Sequence, residues 1–91
     1  MTFPFLIKSQ MKDKDQQRLQ KIGANLLRLR TAKGYTQEQL SYECEVDRAK
    51  ISKIESGQAN LFVTTLLDLA EGLQVSPMEL LDVGSKQKKG K

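Results

Sequence analysis

The most constraining feature of the sequence is a pair of short helix signals with almost nothing between them. The stretch YTQEQL contains Thr36 and, three residues on, Gln39, which together form the capping-box pattern of a helix start. The stretch DRAKISKIESG opens on Asp47, a favoured N-cap, and closes on Gly57, a common helix stop. Only residues 44–46 separate the two helices, so the chain must turn sharply between them.

A helix pair joined by such a short turn is a helix-turn-helix unit, and three more helices are predicted around it. The first helix runs from about residue 14 to 33, and the fourth from about residue 63 to 73. The fifth begins in VSPMELL, with Ser76 as its cap, Pro77 in its first position and Glu79 completing a capping box. Apolar residues at helical spacing form the predicted core stripes: Leu19, Ile22, Leu26 and Leu29 in the first helix, and Val63, Leu66, Leu69, Ala70 and Leu73 in the fourth. Five amphipathic helices with short links predict a compact all-α domain.

The length of 91 residues suits one small domain, which we expect over residues 13–83. Residues 1–12 are predicted to form an N-terminal arm, and residues 84–91 a basic, flexible tail. The FPFLI stretch of the arm is too short for a signal-peptide core or a membrane span, and it can either pack on a partner or stay disordered. A single cysteine, Cys44, excludes an internal disulfide and fits the reducing cytoplasm, where we expect the protein to act.

The charge is distributed unevenly along the chain. The net charge is +4, but residues 13–82 carry nine basic and eleven acidic side chains, so the positive excess lies in the two ends. Within this body all nine basic residues fall between Lys14 and Lys53, whereas residues 58–82 contain four acids and no base. The net charge alone is therefore weak support for a nucleic-acid partner, but its distribution predicts a domain with one basic side and one acidic side.

The sequence offers little support for catalysis. It contains no histidine, so Cys44 lacks its usual base and a zinc site lacks ligands. No glycine-rich phosphate loop is present. We therefore expect neither an enzyme nor a bound metal or cofactor.

The third helix has two distinct faces. On a helical wheel Ile51 and Ile54 share the inward side, and Lys50 lies on its flank. The outward face consists of four residues: Arg48, Ala49, Ser52 and Lys53. The two small residues permit close approach to a DNA major groove, and the two basic ones can donate to guanine or phosphate. The alternative is a solvated helix with incidental basic residues.

A longer set of spaced residues extends this interpretation. It comprises Arg30, Gly34-x-Thr36-Gln37-x-x-Leu40, Val46, Ile51, Ile54-Glu55-x-Gly57 and Leu66-x-x-Leu69-Ala70-x-x-Leu73. With this spacing, residues 22–81 resemble the Cro/C1-type (XRE family) helix-turn-helix domain of phage repressors and many bacterial regulators. The resemblance implies a five-helix, lambda-repressor-like DNA-binding fold.

The resemblance also implies roles for individual residues. The third helix becomes the recognition helix, spanning residues 47–56 with its caps, and its outward face contacts bases. Contacts with the DNA backbone are expected from six residues: Thr36, Gln37, Lys50, Ser56, Gln58 and Asn60. A buried salt bridge between Arg30 and Glu55 is implied as a structural link between the first and third helices.

This sequence departs from the family pattern in three places. Ser41 stands where the tight helix crossing usually has alanine, and it is small enough to fit there. Glu45 stands where the inter-helix turn usually has glycine, so a residue with a side chain is expected at positive φ. Leu61 and Phe62 stand where Pro and Ser usually start the fourth helix. Phe62 is therefore expected to be exposed, where it can contact either a DNA sugar or a partner.

The functional expectation is a homodimeric transcriptional regulator of double-stranded DNA that reads a near-palindromic operator, with two recognition helices about 34 Å apart. The fifth helix, with Leu67 and Val83 nearby, is the expected dimer surface, and the N-terminal arm is a second candidate. Two alternatives stay open. The chain can be a protein-interaction module that retains the fold without reading DNA. It can also be an antitoxin or a restriction-modification controller.

Overall fold

The computed structural model describes residues 13–84, which form five helices and no strand. The helices are α1 (Asp13–Lys33), α2 (Gln37–Cys44), α3 (Arg48–Glu55), α4 (Val63–Leu73) and α5 (Pro77–Leu81). The predicted all-α, five-helix fold is confirmed. The predictions for the N-terminal arm (residues 1–12) and for the tail from residue 85 lie outside the described residues.

Three helices begin where the sequence contains a capping residue. Thr36 Oγ1 accepts a hydrogen bond from the Gln39 N–H at 3.0 Å, and Gln39 Oε1 accepts one from the Thr36 N–H at 2.8 Å. Asp47 Oδ1 accepts from the Lys50 N–H at 2.8 Å at the start of α3. Ser76 caps α5 in a second capping box. These bonds satisfy backbone N–H groups that have no partner within the helix, and they fix where each helix starts.

All five helices contribute to one apolar core. Its fully buried large side chains are Leu26, Leu40, Ile51, Ile54, Leu69, Leu73 and Leu80. Burying one such side chain stabilises the fold by about 1.5–3 kcal/mol. The two helices α2 and α3 have only eight residues each, too few to be stable alone in water. Packing of their apolar faces against the longer helices therefore holds them in place.

Val63 is an exception to the predicted core stripe of α4. Its side chain is 72% exposed, whereas Leu66 and Leu69 are buried. At 100° per residue, Val63 lies about 120° around the helix from Leu69, at the edge of the stripe. It is also the first residue of α4, so no preceding helical turn covers it. The prediction that Val63 faces the core is wrong.

Two glycines allow helices to pack at unusually short distances. A Cβ atom on Gly23 of α1 would overlap the carbonyl oxygen of Ile54 and would lie 2.6 Å from that of Glu55. A Cβ atom on Gly72 of α4 would lie 2.6 Å from the Cβ atom of Cys44. Both glycines are buried, so α1 contacts the end of α3, and α4 contacts the end of α2, at positions that no larger residue can occupy.

A side chain of α1 fastens the short helix α5. Asn25 Nδ2 donates to the carbonyl oxygens of Leu80 at 3.0 Å and of Asp82 at 2.7 Å. Carbonyl groups at the C-terminal end of a helix lack hydrogen-bond partners within the helix, and the Asn25 amide provides a donor for these two. With Leu80 fully buried, α5 is held on α1 by both packing and hydrogen bonding.

The turn between α2 and α3 has the expected left-handed backbone. Glu45 adopts φ 60° and ψ 26°, and its N–H donates to the Ser41 carbonyl at 3.3 Å. Gln74, after α4, shows the same feature at φ 60°, which the sequence did not indicate. For a residue with a Cβ atom this conformation costs on the order of 1 kcal/mol.

Replacing Glu45 by glycine should therefore stabilise the domain. We expect Glu45→Gly to raise the free energy of unfolding by about 0.5 kcal/mol, because relief of the backbone strain exceeds the extra flexibility of glycine in the unfolded chain. The matched control is Glu43→Gly, which places glycine inside α2 and should lower stability by up to about 1 kcal/mol. Urea denaturation measures both. Equal losses in the two variants would contradict the strain at Glu45.

Candidate nucleic-acid interface

Helix α3 separates its residues as the wheel predicts. Ile51 and Ile54 are 0% and 1% exposed and attach the helix to the core. The opposite side is exposed and carries Arg48, Ala49, Ser52 and Lys53, with Lys50 exposed on the flank. No acidic side chain occurs among residues 48–54. The exposed face of α3 is therefore narrow, polar and positively charged.

The end of α3 is locked to α1 by an ion pair. Arg30 donates from Nε to Glu55 Oε2 at 2.6 Å and from Nη2 to Glu55 Oε1 at 2.9 Å. Only 11% of the Arg30 side chain and 7% of the Glu55 side chain are exposed. The hydrogen bond to Glu55 raises the pKa of Arg30 above its usual value, although burial acts in the opposite direction. Arg30 Nη1 also donates to the Tyr35 carbonyl at 2.8 Å, so the pair fixes the chain just before α2.

The same carboxylate holds the first residue of α2. Gln37 Nε2 donates to Glu55 Oε1 at 2.9 Å, and the Gln37 side chain is half-buried. An amide nitrogen carries two hydrogens, so this bond leaves the second hydrogen for another acceptor. The hydrogen bond to Glu55 of α3 thus fixes the orientation of the Gln37 side-chain amide.

Two surface depressions flank α3 and bring the predicted residues together. The first, of about 680 Å³, has Arg48 on one wall and the start of α2, with Thr36 and Gln37, on the other. The second, of about 250 Å³, joins Ala49, Lys50 and Lys53 to Asn60. Ser52, Ser56 and Gln58 are exposed and line neither depression. Seven of the ten predicted DNA-contacting residues therefore line one of these two depressions beside α3.

The loop after α3 is ordered by local hydrogen bonds. Gly57 has φ 77°, and the Gln58 N–H donates to the Lys53 carbonyl at 2.9 Å. Ser56 Oγ donates to the same carbonyl at 3.0 Å. Asn60 Oδ1 accepts from the Leu61 N–H at 2.9 Å. These bonds define the backbone path of the loop that follows α3.

One polar contact on the surface of α2 was not predicted from the sequence. Tyr42, which is 73% exposed, donates from its hydroxyl to Glu38 Oε2 at 2.8 Å. This hydrogen bond raises the pKa of Tyr42 above its usual value. The two residues are four apart in α2, a spacing that places side chains on one helix face and could have suggested the contact.

A family profile described as "Helix-turn-helix domain" matches residues 21–82, which include all of the helix pair and its depressions. The chain belongs to this helix-turn-helix family. The family is one of DNA-binding transcription regulators rather than enzymes, in agreement with the prediction that the chain is not an enzyme.

Relatives of this helix-turn-helix protein match over about two thirds of its length. An uncharacterized HTH-type transcriptional regulator, y4dJ, of Sinorhizobium fredii is 40% identical over 60 residues, which cover 66% of this chain and 78% of the relative. The control protein C.BamHI of Bacillus amyloliquefaciens is 34% identical over 61 residues, covering 66% of this chain and 75% of that protein.

Solved structures show the same similarity. The restriction-modification controller protein C.AhdI from Aeromonas hydrophila shares 42% identity, with 68% of this chain and 94% of that chain covered and a TM-score of 0.67. The wild-type restriction-modification controller protein C.Esp1396I shares 36% identity, with 70% of this chain and 83% of that chain covered and a TM-score of 0.64. None of the helices between residues 13 and 84 has the length and apolar character needed to cross a membrane.

The buried ion pair should dominate the stability of this site. We expect Arg30→Met to lower the free energy of unfolding by about 3–5 kcal/mol, because it leaves the Glu55 carboxylate buried without its cation. Arg18→Met is the control, since it breaks an Arg18–Asp15 pair whose side chains are 55% and 51% exposed and should cost less than about 1 kcal/mol. Chemical denaturation measures both. The double variant Arg30→Met/Glu55→Leu should regain most of the loss, and a failure to do so would show that the unpaired charge is not its cause.

Proposed function

We propose that the protein is a homodimeric regulator that binds double-stranded DNA of defined sequence and lays α3 in the major groove of a near-palindromic operator. The observation that carries this proposal is the exposed face of α3, which is free of acid and is set on a helix fixed by Ile51, Ile54 and the Arg30–Glu55 pair. A groove admits a helix whose outward side chains are small or able to donate hydrogen bonds.

The chemistry of the exposed face supports base contacts. Arg48 and Lys53 can donate to guanine O6 and N7, and Ser52 can donate or accept. Ala49 offers a methyl group that fits against a thymine methyl. Each of these side chains is exposed on α3, so none has to leave the core in order to reach DNA.

The flanking residues support contacts with the DNA backbone. The start of α2 presents backbone N–H groups beside Thr36 and Gln37, and a helix N-terminus attracts a phosphate. On the other flank Lys50 and Asn60 lie together next to the recognition face. Backbone contacts on both sides of α3 would set its depth and angle in the groove.

An exposed apolar surface on α4 and α5 supports dimerisation. Leu67 is 46% exposed, Met78 71% and Leu81 44%, while Val83 is half-buried. From Leu66 to Gly84 the described chain contains four acidic residues and no basic one, so this part of α4 and α5 is unsuited to DNA. A second copy covering these side chains would place two recognition helices on one DNA duplex.

If α3 contacts bases, substitutions on its exposed face should weaken binding to the operator more than binding to unrelated DNA. Arg48→Ala and Lys53→Ala should each weaken binding to the operator about fivefold or more, because each removes donors to bases, and should weaken binding to unrelated DNA less. Lys21→Ala is the control for Lys53→Ala, since it removes the same charge from the side of α1 next to Gly84. Fluorescence anisotropy at fixed salt measures all three. If the operator affinity of the two α3 variants equals that of the native protein, α3 does not read DNA and the chain is better described as a protein-interaction module.

If α5 forms the dimer interface, a charged residue on its exposed apolar surface should change the oligomeric state. Leu81→Glu should convert the dimer to monomer in sedimentation velocity, because it would bury a charge in an apolar interface. Leu27→Glu is the control: Leu27 is 43% exposed, against 44% for Leu81, but it lies two residues from Asn25 and so faces away from α5. Loss of the dimer in both variants, or in neither, would contradict the assignment of the interface to α5.

A second candidate function, within the same class, is control of a restriction-modification system. It is supported by the 42% identity to the controller protein C.AhdI across nearly all of that chain, and by the similarity to C.BamHI. Selection of bound sites from random DNA would give the operator sequence, its symmetry and its half-site spacing. A selected site upstream of genes for a restriction endonuclease and methyltransferase next to this gene would favour the controller, and a neighbouring toxin gene would favour an antitoxin.

A further inference from the structure

The side chain of Phe62 neither caps a helix nor packs in the core, so it does not contribute to the stability of the fold. It is the N-cap residue of α4, and it makes no side-chain capping hydrogen bond. Phe62 is 76% exposed, which makes it the most exposed large apolar residue within residues 13–84. Serine, threonine, aspartate or asparagine at this position would cap the helix and avoid the apolar exposure. A role for Phe62 must therefore come from what its surroundings can bind.

Those surroundings connect Phe62 to the recognition face. An open depression of about 330 Å³ is lined by Lys50, Asn60, Leu61, Phe62 and Thr65. The depression beside it, which contains Ala49 and Lys53, shares two of these residues, Lys50 and Asn60. Phe62 thus lines a depression that adjoins the one beside α3.

We infer that Phe62 is a DNA-contacting residue that packs its ring on a deoxyribose of the strand bordering the groove entered by α3, while Lys50 and Asn60 contact the adjacent phosphate. The inference rests on the proposed function and adds a residue to it. Among the described residues, the only charged group lining this depression is the ammonium of Lys50, which is complementary to DNA. A phenyl ring cannot donate a hydrogen bond, and the apolar surface that the DNA backbone offers is the carbon skeleton of its sugars. A lone aromatic ring among Lys50, Asn60 and Thr65 suits this mixed surface of sugar and phosphate.

The variant Phe62→Ser gives a test in which stability and binding move in opposite directions. Serine can cap α4, so the thermal midpoint should rise by about 4 °C or more. Operator affinity should nevertheless fall about fivefold, because the sugar contact is lost. Phe62→Thr, a second capping residue, should repeat both effects, and Phe62→Tyr should keep the native affinity because it keeps the ring. Unchanged affinity in the Ser and Thr variants would overturn the inference.

Salt dependence separates the sugar contact from the phosphate contact. Phe62→Ser should leave the slope of log K against log salt concentration unchanged, since no charge is involved. Lys50→Ala should reduce the magnitude of that slope by about one. A reduced slope in Phe62→Ser would mean that the ring acts only by positioning Lys50, and the direct sugar contact would be overturned.

Two further measurements distinguish a DNA contact of Phe62 from a contact with a second copy of the chain. Tyr42→Ser is the matched control, because Tyr42 is also aromatic and 73% exposed but lines neither depression, and its DNA affinity should stay native. If sedimentation shows that Phe62→Ser dissociates a dimer, the ring contacts a second copy and the inference is overturned. If Arg48→Ala and Lys53→Ala also fail to weaken DNA binding, the proposed function fails; if they do weaken it and Phe62→Ser does not, only the role of Phe62 fails.

Discussion

The largely buried ion pair between Arg30 and Glu55 is the interaction on which the arrangement of α3 and the start of α2 depends. Its two hydrogen bonds of 2.6 and 2.9 Å join α1 to the end of α3. Nη1 of Arg30 donates to the carbonyl of Tyr35, and the carboxylate of Glu55 also accepts from Gln37. One charge centre thus sets the position of α3 relative to the start of α2. Because neither side chain can lose its partner without leaving a buried charge, the arrangement is held as a unit.

Helix α3 is a short element whose conformation comes from its contacts. Eight residues are too few for a stable isolated helix, so tertiary packing must supply the stability. Ile51 and Ile54 bury its inner side, and Gly23 lets α1 approach the carbonyl groups at its end. Since these contacts all lie on the inner side or at the end of α3, the residues of its outer face do not contribute to them. The residues of the outer face can therefore vary with the ligand that the helix binds without loss of its packing.

Residue patterns predicted most features that depend on neighbours along the chain, although the Tyr42–Glu38 bond was missed. Among contacts between residues distant in sequence, only the Arg30–Glu55 pair was expected, and it was implied by the family resemblance. Thr36 and Ser76 marked helix starts correctly because a cap acts within a single turn. Val63 was placed wrongly in the core because periodicity does not show where the adjacent helices stop. Gly23 did carry a signal, since glycine inside a helix costs about 1 kcal/mol and implies a packing reason. Asn25 carried none, because its partners at the end of α5 are 55 and 57 residues away.

The placement of charge explains how a body with a net charge of −2 can still present the positively charged face that we propose binds DNA. The acidic residues Glu43, Glu45, Asp68 and Glu71 line one depression at the end of α2, whereas Arg48 faces the start of that helix. These two ends are about 12 Å apart, more than the screening length of about 8 Å at physiological salt. DNA near the start of α2 therefore meets Arg48, the positive end of the helix dipole and one acid, Glu38, in the first turn of the helix. The acids at the other end oppose approach in the reverse orientation, so the same charges that make the body acidic favour one orientation on the duplex.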